Sequence, residues 1–106
     1  MEKYEKDGEV AILVSPGFGA GWSTWNQASL AYDKKVVEYY LEHKDDDISE
    51  EELEKAFNEM GYDHVYFGGY DQIEIVWLPK GQQFRITEYD GSERIRFPED
   101  YDWDIA

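Results

Sequence analysis

The pattern of apolar and polar positions predicts one strand, two helices and then four further strands. The first apolar run, residues 9–15, is almost continuous and is bounded by Gly8 and Pro16. A short run of this kind is typical of a strand that is buried on both faces. We therefore predict that it forms the middle of the sheet.

Two helices are predicted between residues 33 and 61. Asp33 is a candidate N-cap for the first helix, which ends near Lys44. Ser49 begins the second helix, because a serine with Glu52 three residues later forms a capping-box pattern, and Gly61 ends it. The apolar stripes of the two helices are Val36, Val37, Tyr40 and Leu41 in the first and Leu53, Ala56, Phe57 and Met60 in the second.

The remaining apolar segments predict strands at residues 64–67, 72–78, 83–89 and 92–97. An Asp90-Gly91 pair joins the last two, and such a pair is a strong short-range signal for a hairpin. We therefore expect an α+β fold in the order β-α-α-β-β-β-β. It would consist of a mainly antiparallel sheet of about four to five strands with two helices packed on one face.

Length and composition predict a single domain, residues 1–106, with a polar N-terminus (1–8) and an acidic C-terminal tail (98–106). The formal charge of -15, from 25 acidic and 10 basic residues, disfavours direct binding to nucleic acid or to an anionic membrane and favours a basic partner. Cysteine is absent, so disulfides and thiolate metal sites are excluded. No signal peptide and no apolar run of about 20 residues is present, so we expect a cytoplasmic location, without a membrane.

The Asp90-Gly91 turn also predicts the register of the last hairpin. With two residues in the turn, Tyr89 lies opposite Ser92 and the pairing continues outward from there. One face of the hairpin is then apolar, and we expect it to pack on the helices: Phe84, Ile86, Ile95 and Phe97. The other face collects all three arginines of the chain: Arg85, Arg94 and Arg96.

Arginines opposite one another in a strand pair require negative charge nearby, because like charges repel and arginine binds carboxylate or phosphate well. An internal counter-charge is one explanation, supplied by Glu74 or by the tail residues Asp100, Asp102 and Asp104. An external anion is the other. The sequence leaves both open.

Residues 16–26 are the most unusual stretch, since they combine glycines, tryptophans and short polar residues. Gly17, Gly19 and Gly21 directly follow a strand, where bare backbone N–H groups can approach a phosphate, although the dinucleotide-binding and Walker spacings are absent. A turn without a ligand, with the tryptophans covering the core, is the alternative. The predicted ligand-binding set is Gly17, Phe18, Gly19, Gly21, Trp22, Ser23, Thr24, Trp25, Asn26, Arg85, Arg94 and Arg96.

The sequence offers little for catalysis. His43 and His64 have no metal-type or triad-type neighbours, and residues 45–47 do not fit a calcium loop because Glu50 stands where glycine is needed. Glu74, between two isoleucines, is the best single candidate for a base, and a solvent-facing role fits it better. We therefore predict no enzyme, no catalytic residues, no metal and no cofactor.

The segment VAILVSPGFGAGWSTWN, residues 10–26, resembles small uncharacterised proteins encoded by tailed phages and prophages. Gly68-Gly69 and residues 88–91 are further points of resemblance. The resemblance implies an accessory, anti-defence protein made during infection. Such proteins act in the host cytosol by sequestering a nucleotide signal or by imitating nucleic acid with an acidic surface.

Our leading hypothesis is a non-catalytic binder of a small nucleotide-like anion. In it, the glycine amides and the arginines hold phosphates, while Trp22 and Trp25 stack on a base. The alternative is an acidic inhibitor of a basic host protein, with residues 45–54 and the tail supplying the charge. A small nucleotide hydrolase, with Glu74 or His64 as the base, is the third class. Whether the chain forms a homo-oligomer stays open.

Overall fold

Two α-helices and five antiparallel strands form the fold, which a computed structural model describes for residues 2–98. The predicted α+β class is confirmed. The elements, in chain order, are β1 Glu5–Lys6, β2 Glu9–Val14, a 3-10 helix Ala28–Ala31, α1 Lys34–His43, α2 Glu50–Glu59, a 3-10 helix Tyr70–Gln72, β3 Glu74–Pro79, β4 Arg85–Tyr89 and β5 Ser92–Arg96. The strands form two sheets, one with the order β1-β2-β3 and one made of β4 and β5.

Strand β2 is central, as predicted. It pairs with β1 on one side and with β3 along its whole length on the other. Its side chains alternate between two buried faces, with Ala11 and Leu13 on one and Ile12 and Val14 on the other. Each face of β2 therefore belongs to its own apolar cluster, which explains why the run lacks polar residues.

The two helices cover the face of β2 that carries Ala11 and Leu13. Both predicted caps are present: the Asp33 carboxylate accepts the N–H of Lys35 at 3.0 Å, and the Ser49 hydroxyl accepts the N–H of Glu52 at 3.2 Å. The apolar stripes of both helices face this cluster, where Val36, Val37, Leu53 and Phe57 are buried.

The hairpin β4-β5 has the predicted register, from Tyr89 opposite Ser92 to Arg85 opposite Arg96. Its turn residues, Asp90 and Gly91, have φ values of 48° and 83°, as a type I′ turn requires. The prediction that its apolar face packs on the helices is wrong. That face instead packs against the opposite side of β2, so the central sheet lies between the helices and the hairpin.

Two further predictions fail locally. No strand forms at residues 64–67: His64 has a φ of 56°, and the Asn26 side chain bonds the backbone N–H and C=O of Tyr66 at 2.8 and 3.0 Å, which takes the place of a strand partner. The expected single sheet is two sheets, because the described backbone bond of β5 in this direction goes to Ser15, just past the end of β2, and β5 does not extend the β2 ladder. In addition, β1 was not predicted.

Within residues 2–98, no helix is both long and apolar enough to cross a bilayer. The predicted acidic tail, apart from Pro98, lies outside the described residues.

Candidate functional site

The carboxylate of Glu93 fastens the glycine- and tryptophan-rich loop, residues 16–26, to the hairpin. Glu93 is only 1% exposed, and its two oxygens accept four hydrogen bonds from the ends of this loop. Oε1 accepts the backbone N–H and the hydroxyl of Ser15, at 3.0 and 3.2 Å. Oε2 accepts the backbone N–H and the hydroxyl of Thr24, at 2.9 and 2.5 Å. A buried carboxylate is stable only with such donors, so the loop binds an anion that the chain itself supplies.

The glycine amides of the loop also have partners inside the chain. The N–H of Gly19 donates to the carbonyl of Asp90 at 2.5 Å, and that of Gly21 donates to the carbonyl of Gly91 at 2.8 Å. Gly91 must be glycine here, because an added Cβ would lie 2.8 Å from the loop backbone. The structure therefore places the loop beside the hairpin turn. Of the three glycine amides predicted to hold a phosphate, those of Gly19 and Gly21 already bond to this turn.

The aromatic residues of the loop have three different environments. Trp22 is fully buried and packs edge-on against Phe57, at 5.8 Å between ring centroids, so its ring belongs to the core and not to an accessible surface. Trp25 is 45% exposed and packs on Tyr66. Phe18 is 73% exposed and contacts Tyr89, outside the cavity described below. Of the two roles considered for the tryptophans, Trp22 therefore has the structural one, as part of the core.

Arg85, Arg94 and Arg96 lie exposed on the outer face of the hairpin, as the register predicted. Among residues 2–98, neither Arg94 nor Arg96 forms an ion pair. Glu74, considered as a counter-charge, lies on β3 in the other sheet. The tail residues considered for the same role, Asp100, Asp102 and Asp104, lie outside the described residues.

A cavity of about 680 Å³ lies between the loop and strand β4. It brings together four members of the predicted ligand-binding set and adds residues from the N-terminus, the first 3-10 helix and β4. Its volume falls within the range of about 300–1,000 Å³ that is usual for small-molecule sites. The lining residues are Lys3, Ser23, Thr24, Asn26, Ala28, Tyr32, Phe84, Arg85, Ile86 and Glu88.

The cavity combines basic, aromatic and hydroxyl groups with one acidic residue, Glu88, whose carboxylate accepts the N–H of Gly91 at 2.9 Å. Lys3 and Arg85 supply positive charge, and the Lys3 ammonium lies 5.3 Å from the centre of the Tyr32 ring. The rings of Tyr32 and Phe84 pack edge-on, with centroids 6.2 Å apart. Ser23 is 3% exposed, and its hydroxyl makes no hydrogen bond within the described part of the chain, so it keeps a donor and an acceptor for a ligand.

Asn26 lines the cavity, but its side chain is held by other parts of the chain. The Asn26 amide is used entirely as a brace, because it also donates to the carbonyl of Trp22 at 2.8 Å. Eight predicted residues do not line this cavity: Gly17, Phe18, Gly19, Gly21, Trp22, Trp25, Arg94 and Arg96.

Sequence reasoning missed Lys3 and Tyr32. Lys3 is held in place because the N-terminal segment forms a small hairpin with β2 and a β-bridge to Asp33. Its turn is Asp7-Gly8, with φ values of 53° and 80°. The Asp-Gly signal that predicted the last hairpin is also present here. However, the strand before it, β1, consists of only two residues, both charged, and so shows no apolar-polar alternation.

A smaller cavity of about 260 Å³ lies at the C-terminal end of α1. Tyr70 lines it, and within residues 2–98 the hydroxyl of Tyr70 is buried without a hydrogen-bond partner. Burial raises the pKa of Tyr70 well above its usual range, so this hydroxyl stays protonated at neutral pH. His43 at the same cavity lies 3.0 Å from the Asp46 carboxylate.

The acidic surface is concentrated where α2 begins. Every acidic residue from 45 to 54 is exposed: Asp45, Asp46, Asp47, Glu50, Glu51, Glu52 and Glu54. The first turn of α2 holds three of them, where the helix dipole favours negative charge. Across residues 2–98, no group of three or more His, Cys, Asp or Glu side chains is arranged to hold a metal ion.

Comparison of the chain with protein-family models, with curated proteins and with solved structures finds no match.

Proposed function

We propose that this protein binds a small nucleotide-type anion, without catalysis, in the cavity between the loop and strand β4. One observation carries the proposal: a chain with a net charge of -15 lines its cavity with Lys3 and Arg85 beside two aromatic rings. A nucleotide needs this combination, since its phosphate requires positive charge and its base favours contact with aromatic rings.

The positive groups matter because the rest of the protein repels anions. At -15, the long-range field lowers the local concentration of a phosphate compound. Only a short-range site with direct charged hydrogen bonds offsets that effect, and arginine is the side chain best suited to phosphate. The open hydroxyl of Ser23 adds a neutral group that can bind a ribose or a phosphate oxygen.

The biological role that fits this chemistry is sequestration of a nucleotide signal by a phage accessory protein, which is the role implied by the resemblance of residues 10–26. Sequestration needs affinity and no reacting group. In line with this, the carboxylate nearest to the loop hydroxyls, that of Glu93, is committed to four hydrogen bonds that hold the loop.

Titration calorimetry with AMP, ADP-ribose and a cyclic dinucleotide tests the proposal. We expect at least one ligand to bind the wild-type protein and Arg85→Ala to weaken it about 10- to 100-fold, the usual value of a charged hydrogen bond. Arg94→Ala is the matched control, because Arg94 lies on the same hairpin but does not line the cavity. Binding must leave the ligand unchanged in chromatography. No heat with any ligand, or equal losses in both variants, contradicts the proposal.

A second candidate function is inhibition of a basic, nucleic-acid-binding protein. The exposed carboxylates of residues 45–54 support it, since they form a dense negative surface beside the start of α2. Such a surface attracts Lys- and Arg-rich partners that otherwise bind phosphates.

A pull-down from host lysate at low salt tests this second candidate. We expect a basic protein to be retained and then released by added duplex DNA. A variant with asparagine at Asp45, Asp46 and Asp47 is expected to retain less of it, whereas Arg94→Ala is expected to retain the same amount. Recovery of no basic protein counts against this function.

A further inference from the structure

The register of the hairpin decides which backbone groups of β4 are bonded to β5. In an antiparallel pair, residues alternate between hydrogen-bonded pairs and pairs whose N–H and C=O groups point away from the partner strand. Tyr89 and Ser92 close a two-residue turn and are hydrogen-bonded, so Thr87 bonds with Arg94, while Glu88 and Ile86 direct their groups away from β5.

The partner strand supports this assignment. Glu93 lies opposite Glu88 and belongs to the same non-bonded pair. Its N–H donates to the carbonyl of Ser15 at 2.9 Å, on the side away from β4. By the same alternation, the C=O of Ile86 and the N–H of Glu88 lie next to each other along the outer edge of β4.

The large cavity lies along this edge. Ile86 and Glu88 line it, whereas Thr87 between them, whose backbone groups face β5, does not. Outside the β4-β5 ladder, no hydrogen bond to the backbone of Ile86 or Glu88 is present within residues 2–98. The edge of β4 that borders the cavity therefore presents the C=O of Ile86 beside the N–H of Glu88.

We propose that this edge of β4 recognises the base of the bound nucleotide and that the base is adenine. Adenine presents an amino donor beside a ring-nitrogen acceptor, which is the complement of a C=O beside an N–H. The amino group donates to the carbonyl of Ile86, and a ring nitrogen accepts from the N–H of Glu88. The inference rests on the proposed function and adds the base to it.

A proline at position 88 isolates the donor, because proline lacks the N–H and is tolerated where an edge strand's N–H faces away from the sheet. We expect Glu88→Pro to bind AMP about tenfold more weakly than Glu88→Ala, the matched control that keeps the N–H. Ribose 5-phosphate, which has no base, is expected to bind both variants equally. Equal AMP affinity in the two variants overturns the inference.

A modified ligand tests the same contact in the wild-type protein, which keeps the inference falsifiable if Glu88→Pro does not fold. We expect N6,N6-dimethyl-AMP, which lacks the amino donor, to bind about tenfold more weakly than AMP. Equal affinity for the two ligands overturns base recognition by β4 but leaves the proposed nucleotide site intact. Absence of AMP binding to the wild-type protein, with another nucleotide bound, overturns adenine alone, whereas no nucleotide binding at all overturns both proposals.

Discussion

Replacing Glu93 by glutamine tests whether the buried carboxylate holds the loop in place. Each carboxylate oxygen accepts one backbone N–H and one hydroxyl, from Ser15 or from Thr24. Glutamine has the same shape but replaces one acceptor oxygen with an NH₂ group. The hydroxyl on that side can rotate and accept from the NH₂, but the backbone N–H beside it can only donate and loses its partner.

The expected cost follows from that one lost partner. A buried N–H without an acceptor costs about 1–3 kcal/mol. For a chain of roughly 100 residues, each 1 kcal/mol lowers the melting temperature by about 4–8 °C. We therefore expect Glu93→Gln to lower the melting temperature by at least about 4 °C, and Glu93→Ala, which removes all four bonds, to lower it further.

Thermal unfolding and amide hydrogen exchange at neutral pH measure the effect. Glu88→Gln is the control, since Glu88 lies opposite Glu93 on the same hairpin face but is exposed and accepts a single hydrogen bond, from the N–H of Gly91. We expect it to change the unfolding free energy by less than about 0.5 kcal/mol. The one of the two amides, Ser15 or Thr24, that lies beside the new NH₂ group should exchange faster in Glu93→Gln, and neither should in Glu88→Gln. A Glu93→Gln variant that melts with the wild type and keeps both amides protected refutes the anchoring role.

Three further predictions concern turns and tyrosines. In urea unfolding, Gly91→Ala should destabilise the protein by about 1–3 kcal/mol more than Gly8→Ala. Both glycines have a positive φ, but only at position 91 would the added Cβ lie against the loop backbone. Equal losses in the two variants would contradict the packing argument. Tyr62→Phe should cost about 1.5–3 kcal/mol, because its hydroxyl donates to the Asp33 carboxylate at 2.5 Å, whereas Tyr70→Phe, which removes an unpartnered hydroxyl, should cost nothing in the same assay. Burial raises the pKa of Tyr70 above the 10.0 of a free tyrosine, so the folded state loses stability relative to the unfolded state as the pH rises above 10. Between pH 8 and about pH 11, the free energy of unfolding should therefore fall less in Tyr70→Phe than in the wild type. An equal fall in the two proteins would contradict this.

The parts of the fold that were predictable depend on neighbouring residues. The caps at Asp33 and Ser49 act on amides two or three residues away, and the register from Asp90-Gly91 depends on one turn. Such signals are local, so a single sequence contains them. The burial of β2 on both faces was also visible, because a strand without polar positions has no face that suits water.

The parts that could not be predicted depend on pairs far apart in the chain. An apolar hairpin face fits either side of β2 equally well, and nothing local selects the side away from the helices. The alternation of the last strand puts Glu93 on the same face as Ile95 and Phe97, but nothing local identifies its partner Ser15, 78 positions earlier. The cavity could not be predicted for the same reason, since its lining residues Lys3, Thr24 and Arg85 come from three segments that are far apart in the sequence.

The bond between Ser15 and Glu93 also sets an order of events for a chain that grows from its N-terminus. The loop is synthesised early, but the carboxylate that fixes both of its ends follows about seventy to eighty residues later. Contacts over such separations form late in folding, because the intervening segment must first give up its freedom. The cavity between the loop and strand β4 is therefore incomplete until the final hairpin has been synthesised and has packed against the loop.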